Sequence, residues 1–349
     1  MFDHRHYVPV LKGKRAEFPA VQHVQSHEHI TPLFEAIPTQ KADYVPARMS
    51  SFWDNDRPYF IDLLFLDDES FEEADSDSHP IRICFHEVQE KGQFAIPVTG
   101  TARSPGYQAA VAAIVAEQQR GFAIRLVPED FEDEDELGDA LEALVELIGA
   151  SHTDVDVVID ADTVASMSTA AVAQMHRANI AILPHIEQWR TLTVVAGAFP
   201  MSLSPLTRDM WNSETRVDWH GWRRVIERPR GIGRLPTYGD YTIAHPDLPP
   251  TGRATILAQL RYTSPDEFLI WKGHNVFTHA DKFTQFFDIC ADLIQMPEYA
   301  GQAFSHGDAE IYEKATTRDS PGNAETWRKI GTNHHIETVK DQIANLPSA

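Results

Sequence analysis

A (β/α)8, TIM-barrel-like α/β fold is predicted by three features of the 349-residue chain. Eight short apolar runs of strand length recur along it. Most are separated by stretches of helical periodicity, an alternation that favours parallel strands joined by right-handed crossovers. No glycine-rich dinucleotide fingerprint or phosphate-binding loop follows any run, so the competing open α/β sheet lacks its usual signature. A single barrel-type domain spanning 1–349 suits the length, with 200–235 and 254–280 expected as insertions and 304–349 as a C-terminal closing segment.

The first run, Tyr7 to Leu11, reads as a strand, and Glu17, Phe18, Val21 and Val24 then recur at helical spacing. Ile30 to Ile37 is the second strand and Tyr59 to Leu66 the third, with a polar, aromatic loop around Trp53 between them. The acidic stretch from Asp67 to Ser78 reads as solvated surface. Phe94 to Thr99 is the fourth strand. The alanine-rich helix from Tyr107 to Gln119 follows, and Gly121 stops it. Phe122 to Val127 is the fifth strand. The acidic Glu129 to Asp135 then precedes a helix carrying Leu137, Leu141, Leu144, Val145 and Ile148, where negative charge suits the unpaired N–H groups of a helix start.

Val155 to Asp160 is the sixth strand, Ser166 to Ala178 a helix, and Leu192 to Phe199 the seventh strand. Beyond Pro200, Trp211, Trp219 and Trp222 are interleaved with Arg216, Arg223, Arg224, Arg228 and Arg230. This mixture could stack on a base or grip a phosphate, but it fits better a helix packed by its tryptophans with arginines pairing outward. Tyr238 to Ile243 is the eighth strand. Ala254 to Tyr262 and Phe268 to Trp271 form a late β-hairpin about the turn-forming Thr263-Ser264-Pro265-Asp266. An amphipathic helix is expected over Asp281 to Ile294, and a last helix from Ile336 to about Leu346.

A formal net charge of −22 disfavours nucleic acid or an anionic membrane surface as the main partner, leaving room for a local basic groove. The two cysteines, Cys84 and Cys290, are far apart and read as buried thiols of a reducing compartment. No window is long and apolar enough for a membrane helix, and the first twenty residues lack a signal-peptide core, so a cytoplasmic protein is expected.

The chain also resembles a known family. Tyr7 to Lys14 with Glu17 and Phe18, Ile30 to Glu35, Phe199-Pro200, Arg216 with Trp219 and Trp222, and Gly239-Asp240-Tyr241 carry the likeness. So do Arg261-Tyr262-Thr263, Lys272-Gly273, Ser305 with Gly307-Asp308, Gly322-Asn323, Trp327-Arg328 and Asn333-His334-His335. These are similar to the Beta protein family, named from a T-even-like phage protein. The resemblance implies a place in phage–host conflict, with a protein partner in a defence operon, and supplies no catalytic residue.

In a barrel, polar residues at the carboxyl ends of the strands converge on one face. Here they are Lys12, Lys14, Glu35, Thr99, Arg125, Asp160, Asp162 and Asp240, with Asp62 inside its strand. Glu35 and Asp62 could hold a divalent cation such as Mg²⁺, Ca²⁺ or Mn²⁺, while Lys12, Lys14, Arg125, Asp240, Trp327 and Arg328 could bind a ligand, its anionic groups held by the lysines and arginines. Mutual pairing of these charges inside the mouth is the alternative. Near the C-terminus, His334 or His335 oriented by Asp308 could act as a general acid or base, or the cluster could simply lock the terminal helix onto the barrel. The N-terminal pairs His4 with His6 and His27 with His29 read as surface decoration. Beside a purely structural interaction protein whose closing motifs only lock the fold, two functions follow as expectations. One is a recognition component whose polar mouth binds an anionic ligand or a protein partner. The other is a metal-dependent phosphodiester or phosphate-ester hydrolase using Glu35, Asp62, Asp308, His334 and His335.

Overall fold

The computed structural model describes residues 2–67, 79–248 and 256–347. The chain runs β1 (Tyr7–Leu11), α1 (Glu17–Gln22), β2 (Leu33–Glu35), α2 (Tyr44–Met49), β3 (Tyr59–Asp62), α3 (Pro80–Glu90), β4 (Ala95–Thr99), α4 (Pro105–Gln118) and β5 (Phe122–Leu126). It continues through α5 (Glu134–Ile148), β6 (Val155–Thr163), α6 (Thr169–Ile182), β7 (Thr191–Gly197), β8 (Trp211–Thr215), α7 (Val217–Glu227) and β9 (Thr237–Asp240). Then come β10 (Leu257–Thr263), β11 (Glu267–Asn275), α8 (Gln285–Leu293), α9 (His306–Thr317) and α10 (Ala324–Ala344).

All eight predicted strand runs enter one closed parallel barrel, in the order β1 to β7 and then β9. Closure is made by β9, which pairs with β7 on one side and with β1 on the other, Gly239 lying opposite Val8. A Cβ at Gly239 would stand 2.7 Å from the Val195 side chain and 2.9 Å from the Val8 carbonyl, so the closing strand requires glycine there. Side chains alternate across the wall. Val8, Val10, Leu33, Phe60, Val98, Ala123, Val158 and Val195 fill the interior, while Tyr7, Phe34, Ile61, Ile124, Val157 and Tyr238 pack outward beneath the helices.

The remaining strands form a separate antiparallel sheet in the order β10, β11, β8. Its hydrophobic core joins Leu260, Tyr262 and Leu269 to Phe286, Ile289 and Leu293 of α8 and Trp327 of α10. α10 contacts α1, β1, β10 and α9, so it is the eighth barrel helix and also the wall of the second core.

Several expectations are corrected. Trp211 lies on β8, a half-exposed strand, and only Trp219 and Trp222 sit on a helix, α7, which is the seventh barrel helix inside the stretch read as an insertion. The run after Asp62 turns into a 3₁₀ helix, Leu64–Leu66, rather than continuing as strand. The last helix starts at Ala324, twelve residues before the expected Ile336. The helices α2, α3 and α9 are additional to those the sequence predicts. The acidic stretch from position 68 to 78 and the hairpin start at 254–255 lie outside the described residues.

Candidate functional site

Period-two alternation carries specific charges into the barrel. On β5, Ala123 and Arg125 point inward, and on β6 Val158 and Asp160 do so. Glu35 follows Leu33 and Asp62 follows Phe60 in the same way. At the carboxyl end of the strands these residues form one buried network centred on Arg125. Its Nη1 donates to Glu35 Oε1 and Asp62 Oδ2, both at 2.8 Å, and its Nε and Nη2 donate to Asp160 Oδ2 at 2.8 and 2.6 Å. Lys12 Nζ stands 2.5 Å from Glu35 Oε2, and Arg103 Nη2 grips both oxygens of Asp62 at 2.9 and 3.0 Å. The Tyr241 hydroxyl donates to Asp160 at 2.5 Å and accepts from Arg125 at 2.6 Å. Burial lifts the Tyr241 hydroxyl well above its ordinary range against the pull of Arg125, so it remains a donor.

Three cations thus face three carboxylates, and Arg125 has every nitrogen engaged. The guanidinium occupies the position between Glu35 and Asp62 where a metal was expected, so the paired-charge arrangement is the one the geometry realises. Above this layer opens a cleft of about 270 Å³ walled by Leu64, Phe65, Val127, Pro128 and Pro246. Two cationic side chains of its lining keep unused donor capacity among the described residues. Lys12 lines the cleft with Glu35 as its one ion-pair partner, and Arg103 Nη1 is buried with no hydrogen-bond partner among the described residues. The outer rim is acidic, with Glu129, Asp130, Asp162 and Asp247. Asp162 sits at φ +54°, on an irregularity where β6 loses register with β7, and burial followed by the charges of Asp160 and Asp247 raises its pKa. Non-glycine residues in that region store strain and gather at functional sites.

The C-terminal cluster lies elsewhere. His334, His335, Asp308 and Asp240 are all at or below 1% exposed, packed between β1, β9, β10 and α10, and they do not line the mouth. His334 has Nδ1 against Asp308 Oδ2 and Nε2 against the Thr263 carbonyl, each at 2.8 Å, which leaves neither nitrogen for a substrate. Asp308 also accepts from Tyr262 Oη at 2.8 Å and Ser305 Oγ at 2.5 Å. His335 Nε2 donates to Asp240 Oδ2 at 2.8 Å while Nδ1 faces Thr263 Oγ1 at 2.9 Å. Burial lowers the His335 pKa despite Asp240, consistent with that neutral tautomer. A Cβ on Gly307 would meet the Ile330 carbonyl at 2.5 Å, so the Ser305-His306-Gly307-Asp308 motif is shaped by the approach of α9 to α10. The cluster locks the terminal helix, which corrects the acid–base reading of Asp308, His334 and His335. Asp308→Asn is expected to cost about 2–4 kcal/mol in urea unfolding, because the amide sets a donor against donors. Unchanged stability would contradict this role.

Asp240 is corrected for a geometric reason. It shares the outward face of β9 with Tyr238, and accepts from Tyr7 Oη at 2.6 Å, whereas Gly239 and Tyr241 face inward. Trp327 stacks on Phe286 at 3.9 Å in the second core and does not line the cleft. Lys14 and Arg328 stand outside the cleft. Arg328 reaches Glu17 at 3.5 Å, and burial followed by the Arg328 charge brings Lys14 down to about 8. His6 is buried rather than decorative, bonded to Thr31 Oγ1 at 2.9 Å and lowered to about 3 by burial. Cys84 and Cys290 are buried as expected. Thr99 faces outward, its hydroxyl without a hydrogen-bond partner among the described residues.

Sequence reasoning missed Arg103, which comes from the loop after β4, and the inward role of Tyr241. The latter was recoverable by counting two residues from Gly239 along the strand.

A closed parallel barrel whose charged groups converge at the carboxyl ends of the strands defines the class of (β/α)8 proteins that build their sites there. Within that class, the chain belongs to the Beta protein family, whose model matches residues 7–341. Among solved structures it is similar to the biosynthetic arginine decarboxylase SpeA from Campylobacter jejuni, with 12% identity, a TM-score of 0.41 and coverage of 96% of this chain. It spans about half (55%) of that protein's length. No curated protein matches it in sequence. No helix among the described residues is long and apolar enough to cross a membrane.

Proposed function

We propose that this Beta family protein is a recognition component of a phage–host conflict system, and that its barrel mouth binds a small ligand carrying one anionic or strongly accepting group. The observation that supports the ligand is Nη1 of Arg103, buried and without a hydrogen-bond partner among the described residues, on a side chain that lines the cleft together with Lys12. A buried guanidinium N–H without an acceptor is costly, and a carboxylate or phosphoryl oxygen would satisfy it with a charge-assisted bond. The lining carries Glu35, Glu129, Asp130, Asp160, Asp162 and Asp247 against Lys12, Arg103 and Arg125, which repels an extended polyanion and suits a compact ligand with hydroxyl or cationic groups toward the rim.

A thermal-shift panel of inorganic phosphate, nucleoside phosphates and dicarboxylates tests the ligand, with Arg103→Gln as the control. One class should raise the melting temperature of the wild type, and Arg103→Gln should lose at least about tenfold in affinity, the measure of one charged hydrogen bond. Equal binding by the folded variant rejects the site. For the conflict role, phage plating on bacteria expressing the chain should fall with the wild type and recover with Arg103→Gln; unchanged plating with both rejects it.

The hydrolase reading retains one supporting observation, the strained Asp162 beside Asp160, whose raised pKa suits a proton donor. In that reading the cation, Mg²⁺ or Mn²⁺, would have to displace Arg125 from Glu35 and Asp62, or use the rim carboxylates. Elemental analysis of the wild type against Glu35→Gln and Asp162→Asn separates these sites.

A further inference from the structure

At the opposite end of the barrel, the structure assigns a transition-metal site of the zinc class to Glu142, His152 and His185, independent of the mouth. Among the described residues these three form a group whose ligand atoms all lie within 4.8 Å of one another. They come from three separate segments: Glu142 from α5, His152 from the turn before β6, and His185 from the loop between α6 and β7. Both imidazoles aim Nε2 at the same carboxylate oxygen, Glu142 Oε1, at 3.2 Å for His152 and 2.7 Å for His185. Ligand atoms on a tetrahedral zinc with bonds near 2.0–2.1 Å stand roughly 3.3 Å apart, so small side-chain rotations would admit the ion.

The surroundings hold the rings in that convergent pose. Trp189, 1% exposed, stands nearly perpendicular to both imidazoles with ring centroids 4.7 and 6.5 Å away, and its Nε1 donates to the Pro184 carbonyl at 2.7 Å, which fixes the loop. His185 is held at φ +52°, a conformation a histidine adopts at a cost, and its ring lies 4.5 Å from that of His152. Its Nδ1 faces the Gln188 side-chain amide at 3.5 Å, and with the amide reversed the carbonyl oxygen would meet the Nδ1–H of a ring ligating through Nε2. All three side chains are partly open to solvent, so an ion has access and a water can complete the fourth position. Two imidazoles and one carboxylate select Zn²⁺, Ni²⁺, Co²⁺ or Cu²⁺ over Mg²⁺ or Ca²⁺, which prefer oxygen alone. At the amino ends of the strands such an ion would tie α5 to the loops entering β6 and β7, a stabilising position rather than a catalytic one.

The test is calorimetric titration of the chelator-treated full chain with zinc chloride, paired with thermal unfolding and with cobalt(II) absorption. The wild type should bind one zinc, melt at a higher temperature with zinc than without it, and give the intense visible bands of tetrahedral cobalt. His152→Gln and His185→Gln should each weaken zinc binding by more than about tenfold, a scale set by the loss of even those groups that only hydrogen-bond to a metal ligand, and abolish both the melting shift and the bands. Should a histidine variant fail to fold, Glu142→Gln on the exposed face of α5 supplies the same comparison. Zinc affinity unchanged in the folded variants overturns the assignment. So does weak, multiple-site binding by the wild type with no melting shift.

Discussion

Replacing Arg125 with methionine is expected to lower the unfolding free energy by about 3–5 kcal/mol, the range seen when one partner of a buried ion pair is removed. The reason is specific to what the guanidinium leaves behind. Glu35 keeps Lys12 at 2.5 Å and Asp62 keeps Arg103 at 2.9 Å, but Asp160 is left with the Tyr241 hydroxyl and the Asp162 N–H. Most of the loss therefore sits on Asp160. Adding Asp160→Asn to the methionine variant should recover a large part of it, since an amide tolerates burial far better than an unpaired carboxylate. Arg125→Lys should fall between, because one ammonium cannot reach the partners that a fork of five N–H groups spans. Urea unfolding of the four proteins decides the matter. Recovery absent in the double variant would mean the cost arises from lost packing and not from stranded charge.

What the sequence disclosed follows the kind of signal each element carries. Strands such as Phe122–Leu126 and Val155–Thr163 are buried on both faces over most of their length, so β-branched and other apolar residues dominate these runs in spite of Arg125 and Asp160, and they are easily read. β8, reading Trp-Asn-Ser-Glu-Thr, is a half-exposed edge strand with no such run, and it was hidden. The first half of α10 was hidden for the opposite reason. It is covered on several sides, so Thr332, Asn333, His334 and His335 are buried polar residues and no amphipathic contrast marks the helix start. The mouth was legible as a set of strand-end charges. Its wiring was not, because Arg125 meets Glu35 and Asp62 from across the barrel, a relation fixed by closure and not by neighbours in sequence. Asp240 was misassigned because a strand-end position does not say which face of the wall the side chain takes.

The second large effect has a sign that inspection of contacts alone would reverse. Asp218 is 1% exposed at the start of α7, where burial and then the charge of Asp240 push it up to about 7, outweighing Arg216, the Trp219 N–H and Tyr238. His335 and Tyr7 hydrogen-bond to the same Asp240, which they, with Arg216, hold below the usual carboxylate range against its own burial. The unfolded chain releases the Asp218 proton near pH 3.9. Between about pH 4 and 7 the folded state thus binds the additional proton, and stability falls as pH rises through that window. The contribution is complete below about 3.9 and gone above about 7, with a cost on the order of 2–4 kcal/mol on the alkaline side. Asp218→Asn keeps the oxygen that accepts from the Trp219 N–H at 2.8 Å, cannot ionise, and relieves the repulsion with Asp240. The variant should therefore be more stable than the wild type at pH 8 by about 2 kcal/mol, with the two converging toward pH 4. Urea midpoints at pH 4.5, 6 and 8 measure the difference directly. A variant less stable at pH 8 would show that Asp218 is ionised in the folded protein and held by Arg216, with its charge contributing to the fold.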